Sequence, residues 1–267
     1  WRYATPPHYY THKKDGAWGF AQSGGIGGVV ASLESIKRTL PEDKLWPPWN
    51  SAWSFHTNLQ GTHYYDRFFK EMKIRYGKPT DIEDFVKKAH LMNYASARGM
   101  FEAYARNKYY ATGITTWKYD TAWPAVMTWQ YVDWYLIPTS AYYGAKKACE
   151  PLHIQYSYDD DSIYVVNSFY QDFKGLKAEA EIYDFNLQKR WSKSKVVDVG
   201  ADGKTKVFIV EFPSNLTRTF FLRLKLWDRN GKLITENFYW LSTKRDRPGK
   251  MLYGIVPITP YHRPDYT

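Results

Sequence analysis

The chain has 267 residues, 37 Lys and Arg against 27 Asp and Glu, and a formal charge of +10. Aromatic residues make up 19% of it and glycine fills 17 positions, which excludes a disordered or collagen-like chain. A single cysteine, Cys149, excludes a disulfide framework, and no run of 18 apolar residues is present to span a membrane.

The basic residues are scattered or stand in pairs such as Lys87-Lys88 and Lys146-Lys147. Nucleic-acid binding needs clustering, so the charge reads as a solvated surface and no nucleic-acid partner is expected. The chain opens on Trp1-Arg2-Tyr3 without a charged-then-apolar leader, and reads as cut from something longer. The compartment therefore stays open. Asn215-Leu216-Thr217 is a glycosylation acceptor only if the protein is secreted.

In chain order, the apolar-aromatic run 17–21 predicts a buried strand. The glycine-rich run from Gly24 to Gly28 follows, but no Lys-Ser/Thr comes after it, so it is no phosphate loop. A helix is expected over 32–40, stopped by Pro41. The Trp- and Tyr-rich stretch 41–77 reads as a long irregular loop, of the kind that forms lids. Thr80-Asp81-Ile82-Glu83 is a capping-box pattern that opens a helix over 81–107. Its stripe includes Phe85, Val86, Ala89, Met92, Met100 and Tyr104. A second buried strand is expected at 112–117. Strand, helix and strand in this order predict a parallel βαβ unit. One such unit cannot protect its own edges, so residues 1–150 are expected to complete a structure supplied by other residues.

Near residue 150 the texture changes. From Ile163 the pattern has period two, with Leu222, Leu224 and Leu226 alternating with Arg223 and Lys225. Asn230-Gly231 makes a turn into a strand over 233–240, and Asp202-Gly203 a turn before 207–212. Four to six such strands predict a small antiparallel sandwich. The last twenty residues carry four prolines and no clear pattern, so 247–267 reads as a linker or tail.

The strand over 112–117 ends in Trp117, followed by Asp120 and Trp123. Residues at the C-terminal ends of barrel strands line active sites. Aromatic faces stack on sugar rings, and a carboxylate accepts sugar hydroxyls. The alternative, that these tryptophans fill a core, stays open. His8, His12, His56 and His63 match no standard metal spacing, and no metal or cofactor is expected. No Gly-x-Ser-x-Gly elbow is present. Paired carboxylates for glycoside chemistry have only Asp120 and Asp15 as candidates at strand ends.

Several segments carry a resemblance. They are Gly16-Ala17-Trp18-Gly19-Phe20, Glu34-Ser35-Ile36-Lys37-Arg38, Asp84-Phe85-Val86-Lys87-Lys88-Ala89, the stretch from Trp117 to Pro124, and Tyr239-Trp240-Leu241-Ser242-Thr243-Lys244. Most specific is the run Ala141-Tyr142-Tyr143-Gly144-Ala145-Lys146-Lys147-Ala148-Cys149-Glu150-Pro151-Leu152-His153-Ile154-Gln155-Tyr156-Ser157. In colinear order these resemble glycoside hydrolase family 2, in its exo-β-D-glucosaminidase and β-mannosidase branch. The resemblance implies the C-terminal part of a (β/α)8 TIM barrel followed by an immunoglobulin-like β-sandwich. Residues 1–148 would supply strands seven and eight with their helices, and 149–246 the sandwich. The acid/base carboxylate would lie on an earlier strand, outside this sequence.

The family's nucleophile Glu falls on Ser23 in this chain. A serine with no base cannot replace that carboxylate. Glu34 would sit on the following helix, out of reach of the sugar. Trp18, Trp117, Asp120 and Trp123 are implied to bind substrate, Asp120 in a position usually held by Asn. The implied partners are a β-linked oligosaccharide and the remaining barrel and N-terminal domains, on another chain or lost by truncation. Three readings stay open: a glycosidase piece whose nucleophile was replaced, an inactive relative that binds glycan or serves a structural role, and a site whose chemistry moved to another carboxylate.

Overall fold

The computed structural model describes residues 3–13, 16–48, 50–57 and 62–244, the side chains of 62–66 excepted. The expected tail at 247–267, Asp15 and the side chain of His63 lie outside the described residues. The described chain forms two compact units. One takes in residues up to Tyr104 together with 111–148, the other 105–110 together with residues from Cys149 onward.

The first unit begins with α1 (Pro6–Thr11), β1 (Gly19–Gly24), β2 (Val29–Val30) and α2 (Leu33–Thr39). Ser32 caps α2 by accepting from the Ser35 N–H at 3.0 Å, and the helix stops before Pro41 as expected. Next come α3 (Ser51–Phe55) and α4 (Thr62–Tyr76). The irregular loop expected over 41–77 is thus largely helical. Asn50 caps α3 through the Trp53 N–H at 3.1 Å, and Trp53 is fully buried. On α4, Phe68 and Met72 stand four apart and both reach the core. Aromatics on every side of that stretch hid the short stripe.

The helix α5 (Ile82–Arg106) fills the expected range. Its capping box lies one residue later than the sequence pattern suggested. Asp81 Oδ1 accepts from the Asp84 N–H at 2.9 Å, and Asp84 Oδ2 accepts from the Thr80 N–H at 3.0 Å. The Asp84 N–H and then the Thr80 hydroxyl hold the Asp81 carboxyl below the usual range. The buried face of α5 carries Phe85, Val86, Ala89 and Met92 into a core shared with Ile36, Trp53, Phe68 and Met127. It also buries Asn93, Ser96, Arg98 and Glu102, which the apolar stripe did not announce.

After α5 come β3 (Ala111–Thr116), β4 (Met127–Thr128) and α6 (Ser140–Ala148). β1 and β3 pair in parallel, as expected, with Gly19 opposite Ala111 and Gly24 opposite Thr116. Both strands were expected to be buried. Instead most of their residues are partly or fully exposed, and the Phe20 ring is 63% exposed. The sheet has two strands, so neither face is fully covered among the described residues.

The second unit is a sandwich of seven strands. They are β5 (Leu152–Tyr156), β6 (Ser162–Asn167), β7 (Phe173–Asp184), β8 (Lys189–Val199), β9 (Lys204–Ile209), β10 (Thr219–Trp227) and β11 (Leu233–Ser242). One sheet has the order β11-β10-β7-β8 and the other β5-β6-β9. Leu222, Leu224 and Leu226 point inward with Ile154, Ile163, Ile182 and Tyr239. The Asn230-Gly231 turn joins β10 to β11. Gly231 holds φ +80°, and Asp228 accepts from the N–H groups of Asn230 and Lys232 at 2.8 Å each. Residues 105–110 are tied into this unit by side chains. Arg106 pairs with Asp159, and Lys108 reaches Asp202 at 2.8 Å and the Asn167 carbonyl at 3.0 Å. Lys204 donates to the Arg106 carbonyl at 2.6 Å.

Candidate functional site

The C-terminal ends of β1 and β3 lie side by side. The Trp117 N–H donates to the Gly24 carbonyl at 2.9 Å, which extends the parallel ladder one residue past β3. The Thr115 hydroxyl also donates to the Gln22 carbonyl. Gly24 packs so closely that a Cβ there would come within 2.6 Å of Ile114 Cδ1. Ser23 and Trp117 therefore share one end of the sheet.

The two loops that leave this end are tied together. β2 and β4 pair antiparallel, with Val29 opposite Thr128 and Val30 opposite Met127. Asn93 of α5, fully buried, clamps the β1 loop from below. Its Nδ2 donates to the Gly28 carbonyl at 2.9 Å, and its Oδ1 accepts from the Val30 N–H at 3.1 Å. The glycine-rich run is thus a braced turn, in which Gly27 takes φ +87° and Ile26 is buried. Beyond β4, Asp133 is buried and accepts from Ser35 Oγ at 2.5 Å and from the Tyr135 and Ile137 N–H groups at 2.9 and 3.0 Å. That carboxylate serves the fold.

Ser23 is half-buried on β1, and its hydroxyl has no hydrogen-bond partner among the described residues. A serine without a neighbouring base is not activated as a nucleophile. Glu34 sits in the first turn of α2, exposed, and faces Arg38 at 3.6 Å. Trp117 is 56% exposed, and its ring touches no other ring among the described residues. Asp120 is exposed and forms no ion pair among the described residues.

Trp123 is held differently. It stacks on His56 with centroids 5.2 Å apart and meets Phe55 edge-on at 4.9 Å. His56 Nδ1 bonds to the Pro124 carbonyl at 2.7 Å, so the half-buried Trp123 ring belongs to a packed cluster. Trp18 stands apart. It precedes β1, so the whole strand separates it from Ser23, about 16 Å of extended chain. The structure brings Ser23 and Trp117 together and does not bring Trp18 to them. His8 and His12 stack on each other at 4.1 Å. Among the described residues, no group of three or more His, Cys, Asp or Glu side chains is placed to hold a metal ion.

Sequence reasoning missed Asn93 and Phe20. A buried Asn inside an apolar stripe looks like an interruption, and a Phe in a strand looks like core. The Phe20 ring instead lies over Gly113, where a Cβ would come within 2.9 Å of it.

Residues 161–246 match the model of the mannosidase Ig/CBM-like domain. The chain is 36% identical over 258 residues to an exo-β-D-glucosaminidase of Streptomyces avermitilis, covering 90% of this chain and 28% of that protein. It superposes on the crystal structure of an exo-chitosanase of Amycolatopsis orientalis with a TM-score of 0.85 and 33% identity, over 92% of this chain and 30% of that one. The chain belongs to glycoside hydrolase family 2. A mannosylglycoprotein endo-β-mannosidase of Lilium longiflorum is also similar, 28% identical over 72% of this chain and 20% of its own length. The chain thus spans less than a third of the length of these relatives. Its fold is a partial barrel followed by an immunoglobulin-like domain.

Proposed function

We propose that the chain supplies one wall of a carbohydrate site in a family 2 protein and does not cleave glycosides by itself. In this reading β1 and β3 are strands seven and eight of a TIM barrel, and Ser23 occupies the position of the nucleophile Glu. The bond from the Trp117 N–H to the Gly24 carbonyl supports it most, because it sets an exposed indole beside the Ser23 strand end. Trp117 serves as the stacking platform, Asp120, which forms no ion pair among the described residues, accepts sugar hydroxyls, and Trp123 lines the rim. The substrate class is a β-linked glucosaminide or mannoside, by analogy with the relatives' names.

A retaining glycosidase needs two carboxylates about 5–5.5 Å apart, one as acid and one as nucleophile. Ser23 offers an oxygen that can neither carry the negative charge nor leave as a stable carboxylate. The exposed faces of β1 and β3 favour a further part of the reading, that the wall works within a larger assembly with the remaining barrel and N-terminal domains.

The test uses the full-length protein with p-nitrophenyl β-D-glucosaminide and β-D-mannoside. No nitrophenol release is expected from the Ser23 form. Binding of glucosamine or mannose oligosaccharides should weaken at least tenfold on Trp117→Ala. Hydrolysis at Ser23, or binding indifferent to Trp117→Ala, would sink the proposal.

A further inference from the structure

The outer face of the β11-β10-β7-β8 sheet breaks the rule that its inner face obeys. The solvent side of an antiparallel sheet is ordinarily polar. At one end this face instead carries Tyr183, Phe221, Trp240 and Phe238, with Phe185 in the turn after β7. Phe221 stands opposite both Tyr183 and Trp240, and Phe238 stands opposite Arg223 in the next row. The rings of Phe185, Phe221 and Phe238 follow one another with centroids 6.3 and 5.4 Å apart, and each step turns the ring plane by 26°. Phe185 is 62% exposed and Phe238 46%. Single exposed aromatics are ordinary, whereas a contiguous group marks a binding surface.

The charges beside this group decide what binds. Arg223 pairs with Glu236 at 2.7 Å. Lys225 reaches Glu179 at 3.3 Å and Glu181 at 3.0 Å, and Lys189 also pairs with Glu181. Arg190 pairs with Asp184 at 2.5 Å. Lys177 also shares Glu179 at 3.1 Å, so each of these cations is paired on the spot and the face presents no unpaired cation to an ionic ligand among the described residues. An apolar protein surface would strip water from these pairs, and desolvation can exceed what an ion pair returns. A neutral, hydroxyl-rich ligand avoids both problems. Its C–H faces lie on the rings, while its hydroxyls donate to Glu236 and accept from Arg223. Rings in a row suit an extended chain with repeated flat faces.

We propose that this face is a second carbohydrate site, for neutral β-linked hexose oligosaccharides, separate from Trp117 and independent of the reading given for it. The experiment titrates the full chain carrying Trp117→Ala with cellohexaose and with mannohexaose, by calorimetry. Binding of at least one is expected to survive Trp117→Ala. Adding Phe185→Ala or Phe238→Ala should weaken it at least tenfold. Both rings are exposed, so unchanged melting temperatures are expected to show that the variants fold. Arg223→Gln with Glu236→Gln leaves the rings in place and should weaken binding as well. Absence of oligosaccharide binding in the Trp117→Ala chain overturns the proposal. So does binding that ignores the phenylalanine variants, or self-association that those variants abolish while no sugar binds.

Discussion

Asn93→Ala removes the clamp beneath the β1 loop. Asn93 is fully buried and satisfies two backbone groups, the Gly28 carbonyl and the Val30 N–H. Alanine leaves both unpaired in a dry site, at about 1–3 kcal/mol each. The expected loss is therefore about 2–6 kcal/mol, or roughly 4–24 °C in the melting temperature of a unit of this size. Urea unfolding followed by tryptophan fluorescence measures it. Asn93→Asp sharpens the argument. Its carboxylate still accepts from Val30 but faces the Gly28 carbonyl with negative charge, and burial raises its pKa. The protonated acid can donate to Gly28, so this variant should recover stability as the pH falls and lose it as the pH rises. A loss below about 1 kcal/mol for Asn93→Ala, against the 1–3 kcal/mol expected for each orphaned group, would refute the account of the clamp.

Glu181 gives a second pH test. Burial opposes its charge, but hydrogen bonds from Lys189 and Lys225, with their positive charges, pull its carboxyl from 4.5 to about 2. A folded pKa below the unfolded one stabilises above about pH 4.5, and that contribution vanishes as the pH falls towards about 2. Wild type should exceed Glu181→Gln by on the order of 2–3 kcal/mol at pH 7 in urea unfolding, and the gap should close with acid. Leu224→Ala, at a fully buried position of β10, should cost about 2–5 kcal/mol in the same assay.

The second unit was the more legible half. Leu222, Leu224 and Leu226 alternate cleanly because one side of β10 faces the core, and Asn230-Gly231 supplies the turn chemistry that fixes the hairpin. The helix α5 was legible for the same reason at a different period. What stayed hidden depends on contacts distant in sequence. Phe20 reads as core, yet the two-stranded sheet leaves it exposed. Asn93 reads as a polar gap, yet it pairs with backbone more than sixty residues away. The α4 stripe of Phe68 and Met72 was lost among neighbours such as Phe69 and Tyr76, which pack against the same core from its edge and blur the period. At the candidate site, the pairing of Ser23 with Trp117 came from resemblance, since no local pattern joins residues so far apart. Trp18, close to Ser23 in sequence, lies at the other end of β1 because an extended strand carries neighbours apart.

The anchoring of 105–110 makes the sandwich discontinuous along the chain. Arg106, Lys108 and Tyr109 reach it from the end of a helix that otherwise belongs to the first unit, and Tyr109 donates to the Asp202 carbonyl. Burial, and then the charges of Arg106 and Lys108, push the Lys204 ammonium below the usual lysine range. A polypeptide beginning at Cys149 would strip Lys204 and Asp202 of those neighbours. The sandwich is therefore no cassette that one splice can move between genes. Any recombination that transplants it must carry a six-residue outpost encoded some forty codons upstream, so the two boundaries are inherited as a pair.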